Sequence, residues 1–137
     1  MTDLLFIYGT LLNSDNEFGS YLKQNCSFVT FGHLQGQLYD LGEYPGIVIS
    51  SKVDQEVYGS VFEMRDQPEI LRRLDYYESV GPDEEQPNLY RREIHPVKTI
   101  RGIMQAWVYV YNRSVEYAIA IPGGDYLKYL NKKSPGT

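Results

Sequence analysis

The stretch Ser27–Asp40, SFVTFGHLQGQLYD, decides which fold the chain can form. The pattern alternates, which predicts a long β-strand; the residues on one side of it are Phe28, Thr30, Gly32, Leu34, Gly36 and Leu38. Because glycine lets a strand bend sharply, Gly32 and Gly36 predict that this strand curves. Such bends are expected where a sheet curls into a barrel.

Further strands are predicted on both sides of this stretch, at Leu4–Ile7, Ile47–Ser50, Glu56–Met64, Tyr90–Thr99 and Ile103–Tyr111. The short turns between most of them indicate an antiparallel or mixed sheet rather than β-α-β units. Proline cannot donate a hydrogen bond to a neighbouring strand. Pro96 therefore predicts that Tyr90–Thr99 lies at an edge or is irregular.

Three helices are predicted around these strands. A short amphipathic helix contains Phe18, Tyr21 and Leu22 and ends near Asn25. A second runs from Gln67 to about Glu78, with Asp66 and Glu69 at the spacing of a capping box. A third follows Pro122-Gly123-Gly124 and ends near Leu130. The size of the chain indicates a single domain over residues 1–137.

Composition and charge exclude several classes of protein. With 42% hydrophobic and 23% charged residues, the chain is neither disordered nor a membrane protein. A net charge of −5 does not suit binding to nucleic acid through phosphate neutralisation. The single cysteine, Cys26, excludes an internal disulfide and fits a reducing compartment. We expect a cytoplasmic protein whose partner is neither nucleic acid nor membrane.

The sequence carries no motif for a metal or a cofactor. His33 and His95 lie far apart and are interpreted as strand residues, and Cys26 has no partner at ligand spacing. Glycine-rich phosphate-binding loops and the G-x-S-x-G nucleophile motif are also missing from the sequence. A reaction here would have to proceed without a protein nucleophile of that kind.

The stretch Leu4–Leu12, LLFIYGTLL, is the first candidate for a binding site. Its apolar run is interrupted by Gly9, where the backbone can turn or come close to another molecule. The main-chain N–H groups of Thr10 and Leu11 would then be available to an anion or a carbonyl oxygen. Considered alone, Gly9 is better explained as an ordinary turn residue.

The thirteen tyrosines are the unusual feature of the composition. Tyrosine combines an apolar ring with a polar tip, so tyrosines can line a pocket that holds a polar ligand. Tyrosine is also common in half-buried strands, and the sequence does not separate these two interpretations.

Glu78 is the candidate for acid and base chemistry. At about 100° per residue, Ile70, Leu71, Leu74 and Tyr77 form one helical stripe, and Glu78 falls inside its arc. Burial and the negative end of the helix dipole would both raise the pKa of this carboxyl group. Such a group can exchange protons near neutral pH. The alternative is a salt bridge with Arg91 or Arg92.

Four groups of residues, in order and spacing, resemble the γ-glutamylcyclotransferase-like family over nearly the whole chain. They are Tyr8-Gly9-Thr10-Leu11, Leu38–Gly42 with Tyr44-Pro45-Gly46, Leu74–Glu78, and Tyr90-Arg91-Arg92. The resemblance implies an α+β fold, a small mixed and mainly antiparallel β-barrel with flanking helices. In many relatives a glycine directly follows the glutamate, whereas Ser79 stands here.

The resemblance also implies a reaction and a site. The α-amino group of a γ-glutamyl amine or γ-glutamyl amino acid attacks its own side-chain carbonyl, which gives 5-oxoproline and releases the amine. Glu78 would be the general acid and base, and Tyr8, Gly9, Thr10 and Leu11 would form the substrate loop. The implied enzyme needs no metal and no cofactor.

Two other functions remain open at this stage. The chain could be a small-molecule binding module that keeps the pocket without the reaction. It could also be an interaction domain that uses its acidic loop, Asp83–Glu85.

Overall fold

The computed structural model describes residues 2–9, 17–42, 44–78 and 80–133. The elements in chain order are β1 (Leu4–Ile7), α1 (Glu17–Asn25), β2 (Cys26–Asp40), β3 (Pro45–Ile49), β4 (Glu56–Met64), α2 (Gln67–Tyr77), β5 (Tyr90–Thr99), β6 (Gly102–Tyr111), β7 (Ile119–Ala120) and α3 (Tyr126–Lys133). No helix within these ranges has the length and apolar character needed to cross a bilayer.

The strands form a closed, mixed β-barrel. Their order is β3-β2-β4-β1-β6-β5, and β5 also pairs with β2, which closes β2, β4, β1, β6 and β5 into a ring. The neighbours are antiparallel except β1 and β6, which run parallel. The expected mixed, mainly antiparallel barrel with flanking helices is confirmed.

Gly32 lies at the point where the barrel closes. It pairs with Thr99 of β5, and a Cβ atom at residue 32 would stand 2.6 Å from Cγ1 of Val97. Only glycine allows the two strands to approach this closely. The bend that the sequence predicts at Gly32 therefore coincides with the closure of the sheet.

Two groups of buried side chains hold the fold together. One fills the barrel and includes Phe6, Leu34, Val61, Val97 and Val108. The other lies between the barrel wall and helices α1 and α2; it includes Leu5, Leu22, Ile70, Leu74 and Trp107. Because β1 and β6 alternate their side chains between the two groups, both strands are covered on both faces.

Two details differ from the prediction, and a third agrees with it in part. Phe28 is 48% exposed, because a β-bulge between Phe28 and Thr30 shifts the register and turns Val29 toward the core instead. Tyr77 belongs to the predicted stripe of α2 but is 45% exposed, and its ring stacks on Phe18. β5 is open on one side along most of its length, as Pro96 predicts, but its last two residues pair with β2.

Candidate active site

A cleft of about 430 Å³ opens where β1, the start of β3, the end of α2, β5 and β6 meet. Its walls are mostly aliphatic and aromatic, with one carboxylate; they are Leu5, Phe6, Ile7, Tyr8, Gly9, Tyr44, Pro45, Leu74, Tyr77, Glu78, Leu89, Tyr90 and Tyr109. This is the size and character of a site for a small ligand. Glu78, Tyr8 and Gly9, which the sequence indicated as site residues, therefore line the same cleft.

Tyr8 follows β1 and points into the barrel, where it is buried. Its hydroxyl donates to the main-chain oxygen of Tyr109 at 2.6 Å and accepts from the amide of Ile47 at 3.3 Å. Burial raises the pKa of this hydroxyl, and the nearby Glu78 carboxylate raises it further. The hydroxyl is therefore engaged within the protein, and Tyr8 offers the cleft its ring and main chain.

Gly9 presents its backbone to the cleft. Within the described ranges its amide has no hydrogen-bond partner, so this donor is open to a ligand. Thr10 and Leu11, the other two residues of the expected substrate loop, lie outside the described residues.

Glu78 caps the carboxyl end of α2 and is half-buried in the cleft wall. Its amide donates to the oxygen of Leu74 at 2.8 Å, which holds the backbone in place. Burial raises the pKa of the Glu78 carboxyl group to about 7. A group with this pKa is present in both protonation states at neutral pH, as a general acid and base must be.

Neither arginine proposed as a partner pairs with Glu78. The Arg91 guanidinium faces Glu93 at 3.4 Å, and that of Arg92 faces Asp75 at 3.4 Å. Among the described residues, no cationic side chain lies within ion-pair distance of the Glu78 carboxylate. Desolvation thus acts on this carboxyl group without a compensating positive charge.

Tyr44, Tyr90 and Tyr109 also form the cleft, although residue patterns alone gave them no role in a site. The Tyr90 hydroxyl donates to the main-chain oxygen of Pro45 at 2.6 Å, which fixes the start of β3 beside Gly9. The rings of Tyr44 and Tyr90 are 6.3 Å apart. The high number of tyrosines was the sequence signal that could have indicated these residues, because a pocket lined by tyrosines was one of its two interpretations.

Metal-binding residues do not cluster in the part of the chain that the structure describes. His33 pairs with Glu56, and His95 with Glu93, in both cases on the strands where the sequence placed the histidines. Cys26 is a buried free thiol in the group of side chains beneath α1 and α2.

Comparison with known proteins assigns the chain to a family. Residues 5–128 match the family described as gamma-glutamyl cyclotransferase, AIG2-like. The chain belongs to this family. The Escherichia coli K12 gamma-glutamylcyclotransferase family protein YtfP is 31% identical over 124 residues, which cover 90% of this chain and 95% of that one.

Solved structures of related proteins share the gamma-glutamyl cyclotransferase fold seen here. The solution structure of E. coli YtfP has a TM-score of 0.66 at 28% identity, with 96% of this chain and 99% of that chain covered. The crystal structure of a mouse AIG2-like protein has a TM-score of 0.72 at 21% identity, with 97% and 90% covered. In this member the family-like segments Tyr8–Gly9, Tyr44–Pro45 and Leu74–Glu78 all border one cleft.

Proposed function

We propose that the protein is a γ-glutamylcyclotransferase that converts a γ-glutamyl compound into 5-oxoproline and a free amine. The α-amino nitrogen of the substrate attacks the γ-carbonyl carbon of the same molecule. A new C–N bond closes the five-membered ring, and the original amide C–N bond breaks. No water is consumed. The attacking nitrogen loses one proton and the leaving nitrogen gains one, so the reaction is balanced.

One observation carries this proposal: the Glu78 carboxyl group, with a pKa of about 7, lines the same cleft as the Tyr8–Gly9 backbone. Because the substrate supplies its own nucleophile, the protein has to fold the substrate and move protons. An acid and base with a pKa near the working pH suits that task. Holding the substrate in an attacking geometry supplies the other large part of the rate.

The roles of the residues follow from this placement. Glu78 as carboxylate accepts a proton from the attacking amino group, and as carboxylic acid it returns a proton to the leaving nitrogen. The free amide of Gly9 is a donor for an oxygen atom of the glutamyl part. The tyrosine and leucine walls keep water from the proton transfers.

The charge of the cleft supports an uncharged or cationic leaving amine. Among the described wall residues no Lys, Arg or His is present, and Glu78 is the one carboxylate. The open backbone amide can meet one substrate carboxylate, that of the glutamyl part. A second carboxylate, as in a γ-glutamyl amino acid, would enter without a counter-charge and lose its hydration.

The test is a panel of γ-glutamyl amines and γ-glutamyl amino acids, with 5-oxoproline as the measured product. Glu78→Gln keeps the size of the side chain and removes the exchangeable proton, so we expect it to abolish turnover while the protein stays folded. Glu63→Gln, at an exposed position of β4, is the matched control and should retain the wild-type rate. Wild-type turnover by Glu78→Gln on a true substrate would disprove the assigned role.

A further inference from the structure

One residue, Tyr109 of β6, is bonded to both halves of the candidate site. Its main-chain oxygen accepts the hydrogen bond from the Tyr8 hydroxyl at 2.6 Å. Its own hydroxyl donates to Oδ1 of Asp75 in α2, also at 2.6 Å. Tyr109 is 7% exposed, and its ring forms part of the cleft wall. It therefore links the segment before Gly9 to the helix that carries Glu78.

Asp75 lies almost one helical turn before Glu78. Residues three apart in an α-helix lie on the same side, so a bond at Asp75 fixes the end of α2 on the side that bears Glu78. The main-chain oxygen of Asp75 also accepts the amide of Val80 at 2.8 Å, which holds the chain beyond Glu78. Movement of Asp75 would thus carry Glu78 with it.

A second side chain supports the bond between Tyr109 and Asp75. The Arg92 guanidinium lies 3.4 Å from the same Oδ1 atom, and it stacks on the Trp107 ring at 4.7 Å. Hydrogen bonds to a carboxylate are stronger than those between neutral groups, so Asp75 suits both the Tyr109 hydroxyl and the Arg92 guanidinium. Both Asp75 and Arg92 are about three-quarters covered, so water competes little for this bond.

The Glu78 side chain has no such anchor of its own. Within the described residues it forms neither a hydrogen bond nor an ion pair, and Glu78 is the residue that caps the end of α2. Its position in the cleft therefore depends on how the end of the helix is fixed. The apolar side chains of α2 press the helix to the barrel, but such contacts are not directional.

We propose that Tyr109 is a positioning residue, which sets the Glu78 carboxyl group against the Tyr8–Gly9 segment through its bonds to Asp75 and Tyr8. The kinetic part of this inference rests on the proposed function. Tyr109→Phe keeps the ring and the main-chain oxygen and removes the bond to Asp75 alone. We expect kcat to fall about 10- to 100-fold, because small misplacements of a catalytic group have effects of that size. KM should change much less.

Tyr129→Phe is the matched control. The Tyr129 hydroxyl donates to Oδ2 of Asp40 at 2.7 Å, so this variant also loses a tyrosine–aspartate hydrogen bond, but away from the cleft. If the two variants lose similar thermal stability and only Tyr109→Phe loses kcat, the effect is positional. An equal fall of kcat in both variants would overturn the proposal.

Two substitutions of Asp75 separate the hydrogen bond from the charge. Asp75→Asn keeps an acceptor for the Tyr109 hydroxyl and should retain most of kcat, whereas Asp75→Ala should resemble Tyr109→Phe. The double variant Tyr109→Phe/Asp75→Ala should fall no further than either single variant, because all three lack the same bond. Additive losses in the double variant would overturn the proposal.

A further test of the role of Tyr109 does not depend on catalytic activity. The pKa of the Glu78 carboxyl group, read by carbon-13 NMR, should fall from about 7 in the wild type toward its ordinary value in Tyr109→Phe, because the freed helix end admits water. It should stay unchanged in Tyr129→Phe. If the wild type forms no 5-oxoproline, the proposed function fails, but the titration still decides on Tyr109. An unchanged Glu78 pKa in Tyr109→Phe would overturn the proposal.

Discussion

The Pro45 ring lies directly against Gly9, and a Cβ atom on residue 9 would stand 3.1 Å from Cγ of Pro45. This is tighter than an ordinary carbon–carbon contact. Pro45 cannot retreat easily, because the Tyr90 hydroxyl holds its main-chain oxygen. The need for glycine at position 9 therefore comes from close packing against β3.

Gly9→Ala should consequently damage the cleft. The added methyl group would push Pro45 or the Tyr8–Gly9 segment by a few tenths of an ångström, at a cost of about 1 kcal/mol in the free energy of unfolding. Turnover should fall about tenfold, because the open Gly9 amide would be displaced. Urea unfolding and a 5-oxoproline assay measure the two effects.

Pro45→Ala is the control for this prediction, since it removes the ring atoms that the methyl group would meet. The double variant Gly9→Ala/Pro45→Ala should be more active than Gly9→Ala alone. If the second substitution brings no recovery, contact with Pro45 is not the reason for glycine at this position.

Glu78 should make the folded protein less stable as the pH rises. Its pKa is about 7 in the folded protein and 4.5 ordinarily, so between these values the folded state binds more protons than the unfolded state. The free energy of unfolding must then decrease from pH 4.5 to about 7 and stay level above. A shift of this size corresponds to roughly 3 kcal/mol as an upper limit.

Glu78→Gln removes this dependence. The variant should be more stable than the wild type at pH 8, by up to roughly 3 kcal/mol, and the difference should vanish near pH 4.5. Urea unfolding at both pH values measures it, with Glu63→Gln as the exposed control. If Glu78→Gln is less stable than the wild type at pH 8, the Glu78 carboxylate is not destabilised by burial without a positive partner, and the prediction is wrong.

Gly32→Ala should weaken the closure of the barrel. The new Cβ atom would meet Val97 Cγ1 at 2.6 Å and the main-chain oxygen of Lys98 at 3.1 Å, so β2 and β5 would have to separate. Overpacking of this kind costs about 1–3 kcal/mol of stability. Adding Val97→Ala removes the nearest atom, but it leaves the oxygen of Lys98. Gly32→Ala should therefore cost less stability in the Val97→Ala background than in the wild type. An equal cost in both backgrounds would show that the Val97 contact is unimportant.

The strands and the placement of Glu78 could be predicted because both depend on local periodicity. Alternation predicted the strand that became β6, and the helical repeat placed Glu78 beside Leu74. Phe28 was assigned to the wrong face because a β-bulge adds one residue to a strand without leaving a distinct pattern in the sequence. Tyr77 was assigned to the buried stripe because a helical wheel does not show where the barrel wall ends.

The role of Tyr109 could not be predicted because its partners are distant in the chain. Asp75 is 34 residues away and Tyr8 is 101 residues away, and no spacing rule links them. The alternation of β6 does place Tyr109 on the outer face together with Trp107, the face that α2 covers. That pattern indicates a tyrosine under a helix, but it does not identify its hydrogen-bond partner.

The parallel pairing of β1 with β6 has a consequence for synthesis and folding. β1 leaves the ribosome before the other strands, yet one of its two neighbours in the barrel is β6, and the Tyr8–Tyr109 bond spans 101 residues. Contacts this distant in sequence form slowly, since a long loop must close before they can stabilise anything. The cleft therefore cannot exist in a nascent chain that lacks β6. In refolding experiments, the return of activity should accompany the last phase in which the barrel closes.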